Sequence, residues 1–400
     1  MLTEKSMLKP AGVIIKPGKD KSIRNRNPWV FSGAVERIEG LERNGQSCEI
    51  FSAQGDFLAV GYVNPDSKII SRVLAWERIS PDYDFLEKRL RRALAFREHI
   101  LDDRTNACRL VNSEGDFLPG LVVDRYGGGI VIQILTAGME MWREELIDIL
   151  ERLAAPSFVV ERSDTSSRRE EGLEERIEVI KGTAPKPAVE ILENGLRYKV
   201  DILRGQKTGF YLDQRDSRRR LGRYVSGKRV LNLFSYTGGF TAAAASSGAS
   251  HVTSVDTSAP ALELLKENMA LNGLENIPGD VIRADVYRYL NTAEGSWDVI
   301  VLDPPAFASK KAQVEQAARG YKDLNMRALR KINSGGILAT FSCSHHISPT
   351  LFRQIVYAAV TDSGRQAQVI AQTAHPADHP TDVCHREGEY LKGLFLRVID

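Results

Sequence analysis

Three carboxylates and one thiol lie at or near the ends of predicted strands in the second half of the chain. They are Asp256, Asp285, Asp303 and Cys343, in the runs 251–256, 281–285, 297–305 and 336–344. Ligands bind in open α/β sheets along the edge where the carboxyl ends of parallel strands meet, so we expect the four side chains on one rim. A carboxylate about one βαβ unit after the first strand usually accepts hydrogen bonds from ribose hydroxyls, so Asp256 predicts a ligand that contains a nucleoside.

The first strand of this predicted sheet leads into a glycine pair. Residues 230–245 are an apolar run, then Gly238 and Gly239, then an alanine-rich helix. A doubly wound sheet opens its ligand crevice in this way, and residues without a Cβ let backbone amides approach a ligand closely. Because the spacing G-x-G-x-x-G is absent, the pair alone favours a tight turn without a ligand. The strand-end carboxylates favour a ligand site.

The other elements divide the chain into three predicted domains. Short β-rich runs separated by Gly, Pro and Asn predict a small β domain, 1–78. Helices and strands then alternate, at 85–101, 130–135, 139–153 and 157–161. They predict an α+β middle domain, 79–184, which ends in the boundary segment 182–187. A β-hairpin around Asn194 and Gly195 opens the α/β domain, 185–400.

Composition limits the class of protein. The 400 residues are 42% hydrophobic and 26% charged, as in ordinary globular proteins of more than one domain. No apolar run is long enough to span a membrane, and the first residues lack the apolar core of a signal peptide. The four cysteines are scattered without metal-ligand spacing, so we expect no metal and a reducing cytoplasm.

Positive charge is concentrated in two segments although the net charge is only +2. Residues 1–40 hold eight Lys/Arg against four Asp/Glu, and residues 204–229 hold nine against two. Such runs are usually solvated faces, but two in one chain make contact with phosphates plausible. The candidates for RNA contact are Lys19, Lys21, Arg24, Arg26, Arg215, Arg218 and Arg219. The segment 16–33 resembles the opening of a PUA domain, an RNA-binding β-barrel, in which Trp29 and Phe31 are expected in the core.

The order and spacing of the motifs match one family. The motifs are QKTGFYLDQR at 206–215, NLFSYTGGF at 232–240, VDTS at 255–258, LDPPAF at 302–307, RGYKDLN at 319–325, TFSCS at 340–344 and ADHP at 377–380. Together they resemble the bacterial 23S ribosomal RNA large-subunit cytosine-C5 methyltransferases, over nearly the whole chain. The resemblance implies a PUA domain, a small middle domain and a class I, Rossmann-like methyltransferase domain that uses S-adenosyl-L-methionine.

The resemblance also implies which residues contact the cofactor. They are Phe210, Tyr211, Phe234, Tyr236, Gly238, Gly239, Asp256, Ser258, Asp285 and Asp303. Segment 234–239 is expected around the amino-acid end, Asp256 on the ribose hydroxyls and Asp285 on the adenine amino group. Asp256 and Asp285 are alternatively helix N-caps.

Cys343 and Asp303 are the expected catalytic residues. C5 of cytosine is a poor nucleophile, and addition of a thiolate to C6 places electron density on C5. Cys343 stands between two serines, with His345 or His346 as a neighbouring cation or as a solvent-facing residue. Asp303 is expected on the N3 or N4 edge of the base. For Cys48, Cys108 and Cys384 a buried packing role is preferred.

One departure from the pattern affects product release. Many RNA cytosine-C5 enzymes carry a second cysteine after the proline of this loop, whereas Pro304 is followed here by Pro305 and Ala306. The base that removes the C5 proton stays open, with Asp303 and water as candidates.

Two other functions also stay open. One is methylation of another base position, such as guanine N7. The other is a non-catalytic RNA-binding or assembly factor. The expected partner is 23S rRNA, and a homodimer is compatible with the sequence.

Overall fold

A computed structural model describes residues 9–183, 186, 188–308 and 310–400. They form two compact units that exchange segments along the chain. The first comprises the described residues of Met1–Val189, Val200–Phe210 and Ala377–Gly388, and the second comprises those of Glu190–Lys199, Tyr211–Pro376 and Glu389–Asp400. Among the described residues, no helix has the length and apolar character needed to cross a lipid bilayer. The domain limits at 78 and 184 stay predictions.

A six-stranded sheet opens the first unit. Its strands are β1 (Ala11–Ile15), β2 (Trp29–Phe31), β3 (Val35–Glu39), β4 (Ser47–Phe51), β5 (Phe57–Val63) and β6 (Ile69–Ala75), with the one-turn helix α1 (Lys21–Arg24) after β1. The spatial order is β2-β6-β5-β4-β1-β3. Alternate residues such as Val13, Ile15, Cys48 and Ile50 share one buried cluster, which is the period-2 pattern of a half-buried strand.

A five-stranded sheet follows in the same unit. Its strands are β7 (Ala107–Asn112), β8 (Leu121–Tyr126), β9 (Gly129–Ile134), β10 (Val159–Ser163) and β11 (Arg176–Lys181), in the order β11-β10-β9-β8-β7. The helices are α2 (Tyr83–Arg97), α3 (Ala137–Met141), α4 (Arg143–Ala154) and α5 (Ser166–Glu170). The Asp82 carboxylate accepts a hydrogen bond from the Phe85 amide and caps α2, which therefore begins two residues before the predicted start at 85.

The second unit contains a seven-stranded sheet. A hairpin of β12 (Val189–Glu193) and β13 (Leu196–Val200) precedes β14 (Arg229–Leu233), β15 (His251–Asp256), β16 (Val281–Arg283), β17 (Trp297–Leu302), β18 (Ile332–Ser342), β19 (Ala367–Thr373) and β20 (Lys392–Val398). The helices are α6 (Arg215–Leu221), α7 (Gly239–Ser246), α8 (Ala259–Leu271), α9 (Val286–Thr292), α10 (Val314–Leu329) and α11 (Pro349–Ser363). The order is β16-β15-β14-β17-β18-β20-β19.

This sheet confirms the predicted α/β architecture. Its strands are parallel except for β20, which runs antiparallel to both β18 and β19. The central strands β14 and β17 are almost continuous apolar runs, because helices cover both faces of a parallel sheet. β15 ends at Asp256 as predicted, whereas β16, β17 and β18 end at Arg283, Leu302 and Ser342, so Asp285, Asp303 and Cys343 lie one or two residues beyond their strands.

Several predictions of burial and boundaries are corrected by the structure. Phe31 is 47% exposed and Trp29 is half-buried, so they are not simply core residues. Cys48 and Cys108 are buried as expected, whereas Cys384 is exposed. The helix predicted at 139–153 breaks at Trp142, where one helix ends and α4 begins. Of the predicted boundary 182–187, residues 184, 185 and 187 lie outside the described residues.

Candidate active site

The register of the central strands aligns their carboxyl ends. Leu233 pairs with Val255 on one side and with Leu302 on the other, and Leu302 pairs with Thr340. The next residues along these strands therefore follow the same edge. The loop after β14, Asp256, Asp303 and the loop after β18 meet there.

The loop 234–238 is held in a tight conformation. Phe234 (φ 58°), Tyr236 (φ 47°) and Gly238 (φ 82°) all have left-handed backbone angles, which cost energy in non-glycine residues and cluster at functional sites. A Cβ on Gly238 would lie 2.5 Å from Cγ of Leu265. Gly238 is therefore required by its backbone angle and by the packing of α8, and Gly239 begins α7.

Asp256 organises the neighbouring loop. One carboxylate oxygen accepts the Tyr236 amide at 2.9 Å and the other accepts the Ser258 amide at 2.9 Å. The N-cap of α8 is Ser258, whose hydroxyl accepts the Ala261 amide, and not Asp256. An ionised carboxylate has about four acceptor sites, so Asp256 retains capacity for two ribose hydroxyls. Ser258 has a capping role that its prediction as a cofactor contact did not anticipate.

Asp285 is a helix N-cap, which is the alternative role that the sequence allowed for it. It is exposed, and its carboxylate accepts the Arg288 amide at 2.9 Å as the N-cap of α9. The second oxygen of this carboxylate can still accept a hydrogen bond from an adenine amino group. Capping and ligand binding are therefore compatible at this position.

Some buried polar atoms near the crevice have no hydrogen-bond partner among the described residues. Among the described residues, the hydroxyls of Ser235 and Thr237 and the side-chain oxygen of Gln214 are buried without a hydrogen-bond partner. Buried polar atoms usually have partners, so these atoms are consistent with an additional polar ligand. Within the same part of the chain, no group of three or more His, Cys, Asp or Glu could hold a metal ion.

Cys343 and Asp303 lie at the same sheet edge. The Cys343 Sγ is 3.9 Å from the Pro304 carbonyl oxygen, and the thiol is partly exposed. The Asp303 carboxylate accepts the Gln214 side-chain amide at 3.0 Å. The thiol therefore faces the Asp-Pro-Pro loop and not the aliphatic core.

Ser344 connects this loop to the strand that carries the thiol. Its Oγ accepts the backbone amides of Phe307 and Ala308 at 3.1 and 3.3 Å. The hydroxyl of Tyr321 lies 2.9 Å from the same oxygen. The serine after the cysteine thus fixes the distance between Cys343 and the 303–308 loop.

Lys392 is a cation beside Cys343 that the sequence analysis missed. Its buried ammonium donates to the Ser344 carbonyl at 2.5 Å and to the Tyr390 carbonyl at 2.9 Å. Burial lowers the pKa of Lys392 to about 8, while the charge of Cys343 acts to raise it. His345 and His346, the predicted cations, are both exposed. Lys392 lies in this position because it pairs with Ser342 across β18 and β20, and this pairing is the signal that could have identified the lysine.

The two aromatic residues before α6 fall in different units. Tyr211 belongs to the second unit, and its ring packs edge-on against Tyr236 at 5.4 Å. Burial, followed by the charges of Asp303 and Cys343, raises the pKa of Tyr211. Phe210 belongs to the first unit and is buried.

The predicted RNA contacts separate into exposed and buried residues. Lys19, Lys21, Arg24, Arg26 and Arg219 are exposed. Arg24 forms ion pairs with Asp20 and Asp56, and Arg26 lies over the Trp76 ring at 5.1 Å.

Arg215 and Arg218 do not fit the predicted role. Both are at least nine-tenths buried, and Arg218 forms a bidentate ion pair with Glu193 at 2.6 Å. Their prediction as RNA contacts is corrected, because α6 turns these two side chains inward and Arg219 outward.

Known proteins resemble the chain over nearly all of its length. A family profile described as S-adenosylmethionine-dependent methyltransferase matches residues 150–367, and one described as a PUA-like domain matches residues 13–76. A protein of Erwinia tasmaniensis named ribosomal RNA large subunit methyltransferase I is 44% identical over 392 residues, which is 97% of this chain and 99% of that protein. A protein of the same name from Klebsiella pneumoniae is 43% identical, with 97% and 98% coverage.

Solved structures share the fold. A protein described as a methyltransferase complexed with SAH has a TM-score of 0.85 at 23% identity and covers 96% of this chain and 99% of its own. A protein from Streptococcus mutans, described as SAM-dependent, has a TM-score of 0.84 at 22% identity, with the same coverage. The fold is therefore class I methyltransferase with a PUA-like domain, and the cofactor is S-adenosylmethionine. The chain belongs to the family of S-adenosylmethionine-dependent methyltransferases that includes ribosomal RNA large subunit methyltransferase I.

Proposed function

We propose that the protein methylates C5 of a cytosine in 23S ribosomal RNA through a covalent bond between Cys343 and C6 of the base. The observation that carries the proposal is the position of the Cys343 thiol, 3.9 Å from the Pro304 carbonyl oxygen at the edge that also holds Asp303 and Asp256. The relatives' name, which refers to large-subunit rRNA, supports the substrate class.

Cys343 acts as the nucleophile. Its thiolate adds to C6, which forms an S–C6 bond and leaves enamine electron density on C5. S-adenosylmethionine, when bound, would supply a methyl group on its sulfonium that C5 can attack only after this addition, and S-adenosylhomocysteine would be the leaving group. A base then removes the C5 proton, the S–C6 bond breaks, and the electron pair returns to sulfur, so Cys343 is regenerated.

Asp303 holds the base during these steps. Its carboxylate accepts a hydrogen bond from the cytosine N4 amino group, or from N3 once N3 is protonated. Pro304 and Pro305 restrict the backbone after it, and Gln214 holds one carboxylate oxygen at 3.0 Å. Asp303 or a water molecule also removes the C5 proton, because the position after Pro304 carries no second cysteine.

The residues that we propose to bind the cofactor lie along the same edge of the sheet. Asp256 accepts the ribose hydroxyls with the lone pairs that the Tyr236 and Ser258 amides leave available. The 234–239 loop surrounds the amino-acid end, and the exposed oxygen of Asp285 accepts the adenine amino group. Tyr211, packed on Tyr236, covers the crevice.

The target nucleotide must leave its stack to reach Cys343. Extrusion of a base costs a few kcal/mol, and contacts between basic side chains and phosphates offset this cost. The exposed residues Lys19, Lys21, Arg24 and Arg26 supply such contacts in the PUA-like domain.

A trapping experiment tests the thiol route. RNA that contains 5-fluorocytidine cannot lose the C5 substituent as a proton, so the adduct with Cys343 should accumulate as a denaturation-resistant complex in the presence of S-adenosylmethionine. Cys343→Ala should abolish the complex. The matched control is Cys384→Ser, which removes an exposed thiol elsewhere in the chain and should leave the adduct unchanged.

Two outcomes would overturn the mechanism. Full methylation of rRNA by Cys343→Ala would indicate a different base position, such as guanine N7. Absence of methyl transfer to any naked or assembling rRNA, with S-adenosylmethionine binding intact, would indicate a non-catalytic RNA-binding factor. Mass mapping of the methylated nucleotide would distinguish the first outcome from the proposed cytosine.

A further inference from the structure

A basic cleft lies beside the sheet edge in the second unit. It has a volume of about 240 Å³ and is lined by Asp216, Arg219, Arg220, Arg223, Gln372, Thr373, Ala374 and His375. The three arginines come from α6 and the turn that follows it, and the other wall comes from the end of β19. This volume is below the roughly 300–1,000 Å³ of pockets for drug-sized ligands, so the cleft suits one charged group of a longer molecule.

The three arginines of the cleft are not neutralised by acidic side chains of the described residues. Within the part of the chain that the structure describes, Arg219, Arg220 and Arg223 make no ion pair or side-chain hydrogen bond. The only carboxylate of the cleft, Asp216, already lies 3.8 Å from Arg215. Buried arginines elsewhere are neutralised, as Arg218 is by Glu193.

Three cations with one shared carboxylate repel one another. Their side chains project from one short segment into the same cleft, and no packing requirement explains this concentration, since Arg219 and Arg223 are exposed. An anion in the cleft would remove the repulsion. Arginine forks bind phosphate oxygens with two parallel hydrogen bonds, so the preferred anion is a phosphate.

The cleft is close to the reacting thiol. Thr373 pairs with Gly393, and Gly393 pairs with Phe341, so the cleft end of β19 lies two strand spacings, about 10 Å, from β18. Cys343 follows Phe341 by two residues along the same edge.

His375 links the cleft to the lysine beside the thiol. Its ring nitrogen accepts the Leu391 amide at 3.1 Å, and its ring packs on Tyr390 at 4.4 Å between centroids. The Tyr390 carbonyl accepts the Lys392 ammonium at 2.9 Å. The wall of the cleft and the surroundings of Cys343 are therefore parts of one hydrogen-bonded segment.

We propose that this cleft binds a backbone phosphate of the RNA strand next to the extruded target nucleotide, with Arg219 and Arg223 as the principal contacts. The inference rests on the proposed function and adds a specific substrate site to it. Charge on a flanking phosphate holds the strand at the sheet edge while the base leaves its stack, so the contact contributes to binding and not to the chemical step.

The test compares Arg219→Glu/Arg223→Glu with wild type on a single-stranded rRNA fragment that contains the target cytosine. Loss of the contact with this one phosphate should reduce the magnitude of the slope of log K against log salt by about 0.7, the value for one neutralised phosphate on a single strand. Affinity should fall at least about tenfold near 0.15 M salt. In methyl-transfer assays KM should rise while kcat changes little, because the contact is uniform binding.

Two matched variants act as controls. Arg219→Lys/Arg223→Lys keeps the charge and should retain most of the salt slope. Arg397→Glu changes an exposed arginine on β20 opposite Ile337, at the far end of the sheet from Cys343, and should bind RNA as wild type does. S-adenosylmethionine affinity by calorimetry should be unchanged in all variants, which shows that the domain is folded.

Three other results would contradict the cleft proposal, and the third would contradict the proposed function as well. A wild-type affinity and salt slope in Arg219→Glu/Arg223→Glu, with methylation intact, overturns the cleft proposal and leaves the proposed function standing. An equal loss in Arg397→Glu would show a general charge effect and would also overturn the cleft proposal. A wild-type protein that neither binds nor methylates rRNA overturns the proposed function and the cleft with it.

Discussion

Cys343, Asp303 and Lys392 show how three residues far apart in sequence come together at the end of a sheet. Cys343 follows β18, Asp303 follows β17, and Lys392 begins the antiparallel strand β20 opposite Ser342. Burial raises the pKa of Tyr211 and of Tyr321, and the charge of Cys343 raises the pKa of both phenols further. Both therefore stay neutral, and we predict that Lys392 is the cation that stabilises the thiolate of the proposed mechanism.

We predict that Lys392→Met slows adduct formation with 5-fluorocytidine RNA at pH 7.5 by about tenfold or more, because about 1.4 kcal/mol of charge stabilisation corresponds to a factor of ten. Lys392→Arg should retain the rate, since a guanidinium keeps its charge. The pH at which adduct formation reaches half of its maximal rate should be higher in Lys392→Met than in wild type, because the variant lacks the charge that favours the thiolate. Lys392→Arg should keep the wild-type midpoint. A rate in Lys392→Met equal to that of wild type at every pH would contradict the prediction.

Lys392 also makes the stability of the folded protein depend on pH. Burial lowers the pKa of Lys392 from 10.5 to about 8, so between these values the unfolded chain binds more protons than the folded protein. Stability therefore rises with pH across this window. We expect urea denaturation to show a larger gain from pH 7.5 to pH 9.5 in wild type than in Lys392→Met. Equal gains in the two proteins would show that Lys392 does not titrate in this range.

At the scale of elements, the turn between β14 and α7 determines the shape of the crevice. Gly238 has a left-handed backbone, and its Cα faces Leu265 of α8, so the turn and the helix are packed without space for a Cβ. The Asp256 carboxylate holds the same turn through the Tyr236 amide. The geometry of the crevice thus depends on the β14–α7 turn, on the end of β15 and on α8.

Gly238→Ala should destabilise the protein by about 2–4 kcal/mol in urea denaturation, the sum of about 1 kcal/mol for the left-handed angle and about 1–3 kcal/mol for overpacking. Gly364→Ala is the matched control. Gly364 has a similar φ of 74°, but a Cβ there would meet nothing within 4 Å, so about 1 kcal/mol is expected. Equal losses in the two variants would exclude the contact with Leu265 as a cause.

At the scale of the whole molecule, each unit is completed by segments distant in the chain. Residues Ala377–Gly388 follow β19 but belong to the first unit. There Asp378 accepts the Arg109 amide through its carboxylate and an Arg97 guanidinium proton through its carbonyl. Asn112 donates to the Pro380 carbonyl at 2.8 Å. The ADHP motif therefore anchors a late segment to the first unit.

Arg97 is the centre of this anchor, fully buried and bidentate to Asp116 at 2.6 and 2.7 Å. Arg97→Met should destabilise the protein by about 3–5 kcal/mol, because it leaves a carboxylate without its buried partner. Hydrogen exchange should increase across 377–388. Arg91→Ala, which breaks an exposed pair with Glu87 on the same helix, should cost about 0–1 kcal/mol. A loss in Arg97→Met no larger than this would contradict the anchoring role.

The local pattern of the sequence was sufficient to predict which side chains lie at the carboxyl-end edge of the parallel sheet. Apolar runs of strand length, each ended by Asp256, Asp303 or Cys343, specify parallel strands, and parallel strands align their ends by hydrogen-bond register alone. The same reasoning identified the α/β fold and the short-strand N-terminal domain, because both depend on periodicity within a few residues.

Only the tertiary structure decided which side chains meet across long separations. Lys392 lies beside Cys343 because β20 returns antiparallel to β18, and Arg218 is buried because Glu193 of a hairpin 25 residues earlier neutralises it. Local periodicity specifies which face of an element is apolar, but the partner of a charged group depends on how distant elements pack, and a sequence pattern does not contain that information.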